Sequence, residues 1–169
     1  MKRIILLFTF GIIFLSCNNN SDYFDPTYFA DGFKGITFTG PDSPKPIKED
    51  PTDWLPDKNY GIRSGGGGEV SLPQDYIFGP AYPNPVIYGD QFKIDLAIPM
   101  TIIINIYAIN FQNEVVVNIQ HGELSAGFYT FTVETKKFNF PGVYRIILEG
   151  QSGASFPALY CKGDVWIKP

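Results

Sequence analysis

Few residues in this chain could do chemistry, and their spacing argues against catalysis. Among 169 residues there is one histidine and there are two cysteines. A Ser-His-Asp arrangement would have to recruit His121, which stands beside Gly122 in "HGELSAG" and reads as part of a surface loop. The stretch "QSGAS" (residues 151–155) lacks the flanking glycine pattern of a nucleophile elbow around either of its serines. Asp90, Asp95, Glu123 and Glu134 are scattered, so no acid/base carboxylate pair can be assigned. A lone histidine also argues against a histidine-based metal centre, and no cofactor is implied. The glycine run "SGGGGE" is followed by Glu69, Val70 and Ser71. A phosphate-binding loop needs Lys and then Ser or Thr opening a helix, so this run reads as a hinge. Cys161, in the apolar "ALYCKG", reads as a small buried hydrophobe rather than a reactive thiol. The expectation is a protein that is not an enzyme.

Cys17 is the exception. Lys2 and Arg3 precede "IILLFTFGIIFL" (residues 4–15), an apolar run of twelve that is too short to span a bilayer as a helix. It fits the core of a signal peptide. The run ends in "FLSC", and "NNNSD" follows at once. Ser16 and Cys17 resemble the lipobox of bacterial lipoproteins, in which a small residue precedes a cysteine that is lipidated and becomes the new N-terminus. Each buried acyl CH₂ contributes about 0.8 kcal/mol, so several chains on one cysteine give a stable anchor. This resemblance implies a membrane anchored at Cys17, most simply the outer membrane, with the side left open. It also leaves Cys161 without a disulfide partner.

Charge excludes another class of function. Loss of residues 1–16 removes two basic residues and leaves eleven Lys/Arg against seventeen Asp/Glu. No basic stripe is present for nucleic acid.

The elements that carry these residues fall into three parts: a signal peptide (residues 1–16), a tether (17–70) and a β domain (71–169). The tether contains "GPDSPKPIKEDPTDWLPDKNYG", whose five prolines and many charges favour extended chain. Within it "GFKGITF" could form one short strand. The tether also holds Tyr23, Phe24, Tyr28, Phe29 and Trp54, either an exposed surface for an envelope protein or glycan partner or side chains that dock on the domain.

The third part is a series of short strands. "DQFKIDLAI" alternates apolar and polar residues, "MTIIINIYAI" has the continuous apolar character of a central strand, and "EVVVNIQ", "FYTFTVE" and "VYRIILEG" follow between turn signals. With "FGPAYPNPV" as the first and "ALYCKGDVWIKP" as the last, about seven strands are expected. Their number and spacing predict an all-β, immunoglobulin-like antiparallel sandwich. Pro83 and Pro85 are tolerable on an edge strand, where missing N–H donors break no central ladder, and Asn84 can bond its local backbone.

"LPQDYIFGPAYPNP", with Tyr82, Pro83, Asn84 and Pro85, resembles the opening segment of a family of C-terminal Ig-like domains. This family includes the Ig-like domain of the flagellar hook-capping protein and the sorting domain of type IX secretion cargo. "AIPMTIIINIYAI", ending near Tyr107, "GELSAGFYTFTV", and "FPGVYRIILEG", with Gly142, Val143 and Tyr144, are similar to successive family motifs in the same order. Ala108 stands where the family has Asp, and "NFQN" replaces a glycine turn, which implies a longer turn there. The resemblance implies a non-enzymatic module. Three roles follow: a lipoprotein presenting a structural or binding domain, a type IX sorting domain, and a carbohydrate-binding module using Tyr88, Tyr129 or Trp166.

Overall fold

The computed structural model describes residues 35–51, 53–54, 72–73, 75–151 and 159–169. The fold is all-β, and its sheets are dominated by antiparallel pairing. In chain order the strands are β1 (Phe38–Thr39), β2 (Pro46–Lys48), β3 (Ile77–Phe78), β4 (Val86–Ile87), β5 (Gln91–Ile98), β6 (Ile102–Ile109), β7 (Val115–Leu124), β8 (Gly127–Glu134), β9 (Gly142–Gln151) and β10 (Leu159–Lys168). A five-stranded sheet runs β4-β10-β9-β6-β7, a three-stranded sheet runs β3-β5-β8, and β1 and β2 form a two-stranded sheet. The described strands thus number ten rather than the expected seven, because a short hairpin precedes the sandwich and the first strand is divided.

Period-two alternation builds the core. Phe92, Ile94, Leu96 and Ile98 of β5 face Ile102, Ile104, Ile106 and Ala108 of β6, with Tyr144, Ile146 and Leu148 of β9 and Cys161, Val165 and Ile167 of β10. Burying each large side chain contributes roughly 1.5–3 kcal/mol, so this cluster is the main source of cohesion. Eight consecutive residue pairs join β5 to β8 without a register shift. Between β6 and β7 the register shifts twice, so β7 carries bulges that twist it.

Residues 77–87 do not form one continuous strand. β3 pairs with β5 in one sheet, and β4 lies parallel to β10 in the other. Between them Tyr82 and Asn84 make only isolated bridges, and the Tyr82–Pro83 and Asn84–Pro85 peptide bonds are cis. A segment with two prolines cannot donate a full ladder, so it crosses from sheet to sheet instead.

One further expectation changes, and another holds. His121 lies within β7, not in a loop, because the strand continues through Gly122 at φ 129° and turns only at residues 125–126. The replaced glycine turn after β6 is indeed a longer one: Asn110 Oδ1 accepts from the N–H groups of Gln112 and Glu114, and Asn113 takes the left-handed position at φ 63°.

Candidate functional site

A dense polar arrangement among the described residues is a clasp between the N-terminal segment and β10, centred on Asn84. Pro83 and Pro85 offer no N–H, and the amide side chain between them supplies the missing groups. Asn84 Nδ2 donates to the Asp164 carbonyl at 2.8 Å and to the Thr37 carbonyl at 2.8 Å, and its Oδ1 accepts from Trp166 N at 2.9 Å. Its backbone carbonyl accepts from Thr39 N at 2.8 Å, while Thr39 Oγ1 donates to the Ala81 carbonyl at 2.7 Å. The side chain of Asn84 therefore stands in for a strand residue along β10 and ties the N-terminal segment to it. Local bonding, the sequence expectation, is replaced by contacts 47 to 82 residues away.

The segment tied down here (residues 35–51 and 53–54, the strap) was expected to belong to the tether. Its apolar side chains explain the difference. Ile36 is buried against Phe38, Val143 and Trp166 on the outside of the five-stranded sheet. Trp54 is only 5% exposed and joins the main core, its ring centroid 5.1 Å from that of Phe78. Its backbone N–H donates to the Lys162 carbonyl at 2.7 Å, so it extends the free edge of β10. Gly163 makes the room: a Cβ there would lie 2.1 Å from the indole. Trp54 is thus a core residue and not an exposed partner contact.

The strap covers an outward-facing ion pair. Arg145 on β9 and Asp164 on β10 are directly opposite in register. Arg145 Nε and Nη2 donate to the two Asp164 carboxylate oxygens at 2.8 and 2.9 Å, and both residues are buried. Two strap carboxylates, Asp50 and Asp53, are buried beside this pair. Asp53 Oδ2 accepts from Thr37 N at 3.1 Å. Burial, then the neighbouring Asp164 carboxylate, push the Asp53 carboxyl up to about 8. Asp164 is also pushed upward by burial, against the pull of Arg145.

A second arrangement lies on the uncovered part of the same outer face. One row of paired residues crosses four strands: His121 on β7, Asn105 on β6, Glu149 on β9 and Tyr160 on β10. Beside it Tyr107 Oη donates to Glu149 Oε1 at 3.1 Å. Burial and that bond push the Tyr107 phenol up to about 12, so it remains a donor. Tyr160 and Ile103 are 57% and 55% exposed. This shallow surface can hydrogen-bond and stack.

The other expected residues fall as follows. Tyr82 Oη donates to Asp95 at 3.1 Å. Gly142 is buried at the start of β9, where a Cβ would lie 3.8 Å from the Tyr144 ring. Val143 packs under the strap. Tyr144 points into the core and its Oη donates to the Phe140 carbonyl at 2.7 Å. Tyr88 and Tyr129 donate to the Phe138 and Ser125 carbonyls, and Trp166 lies against Phe38, its ring centroid 6.3 Å away. Cys161 is buried, and burial pushes its thiol up to about 12. Cys17, Tyr23, Phe24, Tyr28 and Phe29 lie outside the described residues. Among the described residues no group of three or more His, Cys, Asp or Glu is placed to hold a metal ion.

In comparisons with known proteins, no family model, curated protein or solved structure matches this chain.

Proposed function

We propose that this chain is a membrane-anchored bacterial lipoprotein that presents an immunoglobulin-like β-sandwich as a non-enzymatic structural or binding module of the cell envelope. The observation that carries the reading is Ser16-Cys17 directly after the short apolar run of residues 4–15. The Ig-like part of the reading is supported by three features. The first strand is shared between the sheets as β3 and β4, and β4 runs parallel to the last strand. The Tyr144 hydroxyl, near the start of β9, bonds back to Phe140 in the turn before that strand, four residues upstream, as the tyrosine corner of such sandwiches does. Mass spectrometry of the mature protein from its native cell tests the reading. An N-terminal Cys17 carrying acyl chains, with the C-terminal domain intact, is the expected result. An unmodified N-terminus overturns the anchor, and loss of the C-terminal domain favours the type IX sorting reading.

Carbohydrate binding is the second reading, favoured by the exposed Tyr160 beside Asn105, Glu149 and His121. Aromatic faces stack on apolar sugar faces, and amide and carboxylate groups bond hydroxyls. The surface differs from the Tyr88, Tyr129 and Trp166 set suggested by sequence. Polysaccharide pull-down that is lost with Tyr160→Ala would support it; binding unchanged by that variant would remove this site.

A further inference from the structure

The strap gathers three carboxylates in one buried place beside one guanidinium. Asp50, Asp53 and Asp164 are 5%, 7% and 1% exposed. Arg145 spends two of its donors on Asp164 alone. The charged groups that act on Asp53 are Asp50 from the strap itself, Asp164 from β10 and Arg145 from β9, while Lys162 on β10 acts on Asp164. Two uncharged groups add contacts here: Thr37, whose N–H bonds Asp53 Oδ2, and Asn84, which bonds the Thr37 carbonyl.

We propose that the strap is a pH-sensitive latch: a proton taken up by Asp53 holds it on the sandwich, and loss of that proton loosens it from β9 and β10.

The contacts that would open form a connected set. Thr37 N reaches Asp53, Thr39 N reaches Asn84, and Trp54 N reaches Lys162. Trp54 fills the space above Gly163 that no side chain could share. When Asp53 ionises, a carboxylate sits against the Asp164 and Asp50 carboxylates in a site screened from water, which opposes docking. In water Asp53 escapes both the desolvation and the repulsion. The direction follows from the raised folded-state value of about 8 against the ordinary 3.8. Between these values the docked strap binds more protons than the released one. Docking is therefore strongest at low pH and weakens as pH rises, by up to about tenfold per pH unit. Above the folded-state value the loss levels off. The device adds to the lipoprotein reading a control over whether this part of the chain stays attached to the sandwich, and it does not depend on that reading being correct.

Amide hydrogen exchange on the full chain in detergent micelles tests it, with rates referred to the intrinsic rate at each pH. Protection at Thr37, Thr39 and Trp54 should fall between pH 6 and pH 8 by more than tenfold, while Ile94 and Phe131 in the core pair of β5 and β8 keep theirs. Asp53→Asn keeps an acceptor for Thr37 N without the charge, and protection at the strap amides should then be independent of pH. If that variant does not fold, the carbon-13 titration of the Asp53 carboxyl in the unmodified chain decides alone. A midpoint near neutrality or above supports the latch. A midpoint near 4, or strap protection that is flat from pH 6 to pH 8, overturns it.

Discussion

Replacing Asn84 with alanine removes three hydrogen bonds from one fully buried side chain, at 2.8, 2.8 and 2.9 Å. The groups left behind are the Thr37 and Asp164 carbonyls and the Trp166 N–H, and the two flanking prolines cannot supply a substitute donor. A buried polar group deprived of its partner costs about 1–3 kcal/mol. Allowing one water to enter the space left by the amide, the expected loss is about 3–5 kcal/mol, at the upper end of single-substitution effects. Urea unfolding followed by tryptophan fluorescence reports it, because Trp54 and Trp166 lie on either side of the clasp. If the strap alone detaches before global unfolding, the slope of the transition falls as well, since less surface is exposed in the main transition. Asn84→Asp keeps the acceptor for Trp166 N but loses both donors and sets a charge against two carbonyls, so it should be at least as damaging. A loss below about 1 kcal/mol for Asn84→Ala would show that the side-chain amide does not join the strap to β10.

Three further substitutions check other parts of the account. Tyr144→Ala should cost about 3–5 kcal/mol, as large aromatic truncations in cores do, whereas Tyr144→Phe loses only the bond to Phe140 and should cost about 1 kcal/mol; equal losses in thermal or urea unfolding would place the ring outside the core. Gly163→Ala puts a methyl into the Trp54 indole and should cost about 1–3 kcal/mol by overpacking or expel Trp54, which a red-shifted tryptophan emission would reveal; an unchanged spectrum and stability would contradict the stacked geometry. Arg145→Met leaves Asp164 buried without its guanidinium and should cost about 3–5 kcal/mol, while Arg145→Met with Asp164→Leu should recover much of that loss; additive losses in the double-mutant cycle would mean the two side chains are not paired.

The strands of the sandwich were legible because alternation is local. Phe92, Ile94, Leu96 and Ile98 announce an inward face within one octet, and Tyr144, Ile146 and Leu148 do the same. Cys161 followed from its apolar neighbours. The strap was only partly legible. "GFKGITF" allowed one short strand, and docking of Trp54 was one of two readings, but its prolines and charges otherwise read as extended chain; the packing of Ile36, Phe38 and Trp54 depends on β9, β10 and Phe78, more than twenty residues away in sequence. Arg145 and Asp164 sit at outward positions of their strands, and their pairing there is buried beneath a segment that local alternation does not announce. A signal did exist for Trp54: a glycine inside a strand marks a close approach by another group, and Gly163 is such a glycine. The division of the first strand was half visible, because two prolines exclude a regular ladder but do not say where the chain crosses. The outer-face row of His121, Asn105, Glu149 and Tyr160 needed the strand order, which no local pattern supplies.

The central claim is that Cys17 anchors this domain to a membrane. Incorporation of a labelled fatty acid in the native cell, compared between the unmodified chain and Cys17→Ser, tests it most directly. The account predicts label on the unmodified chain, none on Cys17→Ser, and release of that variant from the membrane fraction. An unmodified chain without label, or a Cys17→Ser variant labelled to the same extent, would contradict it.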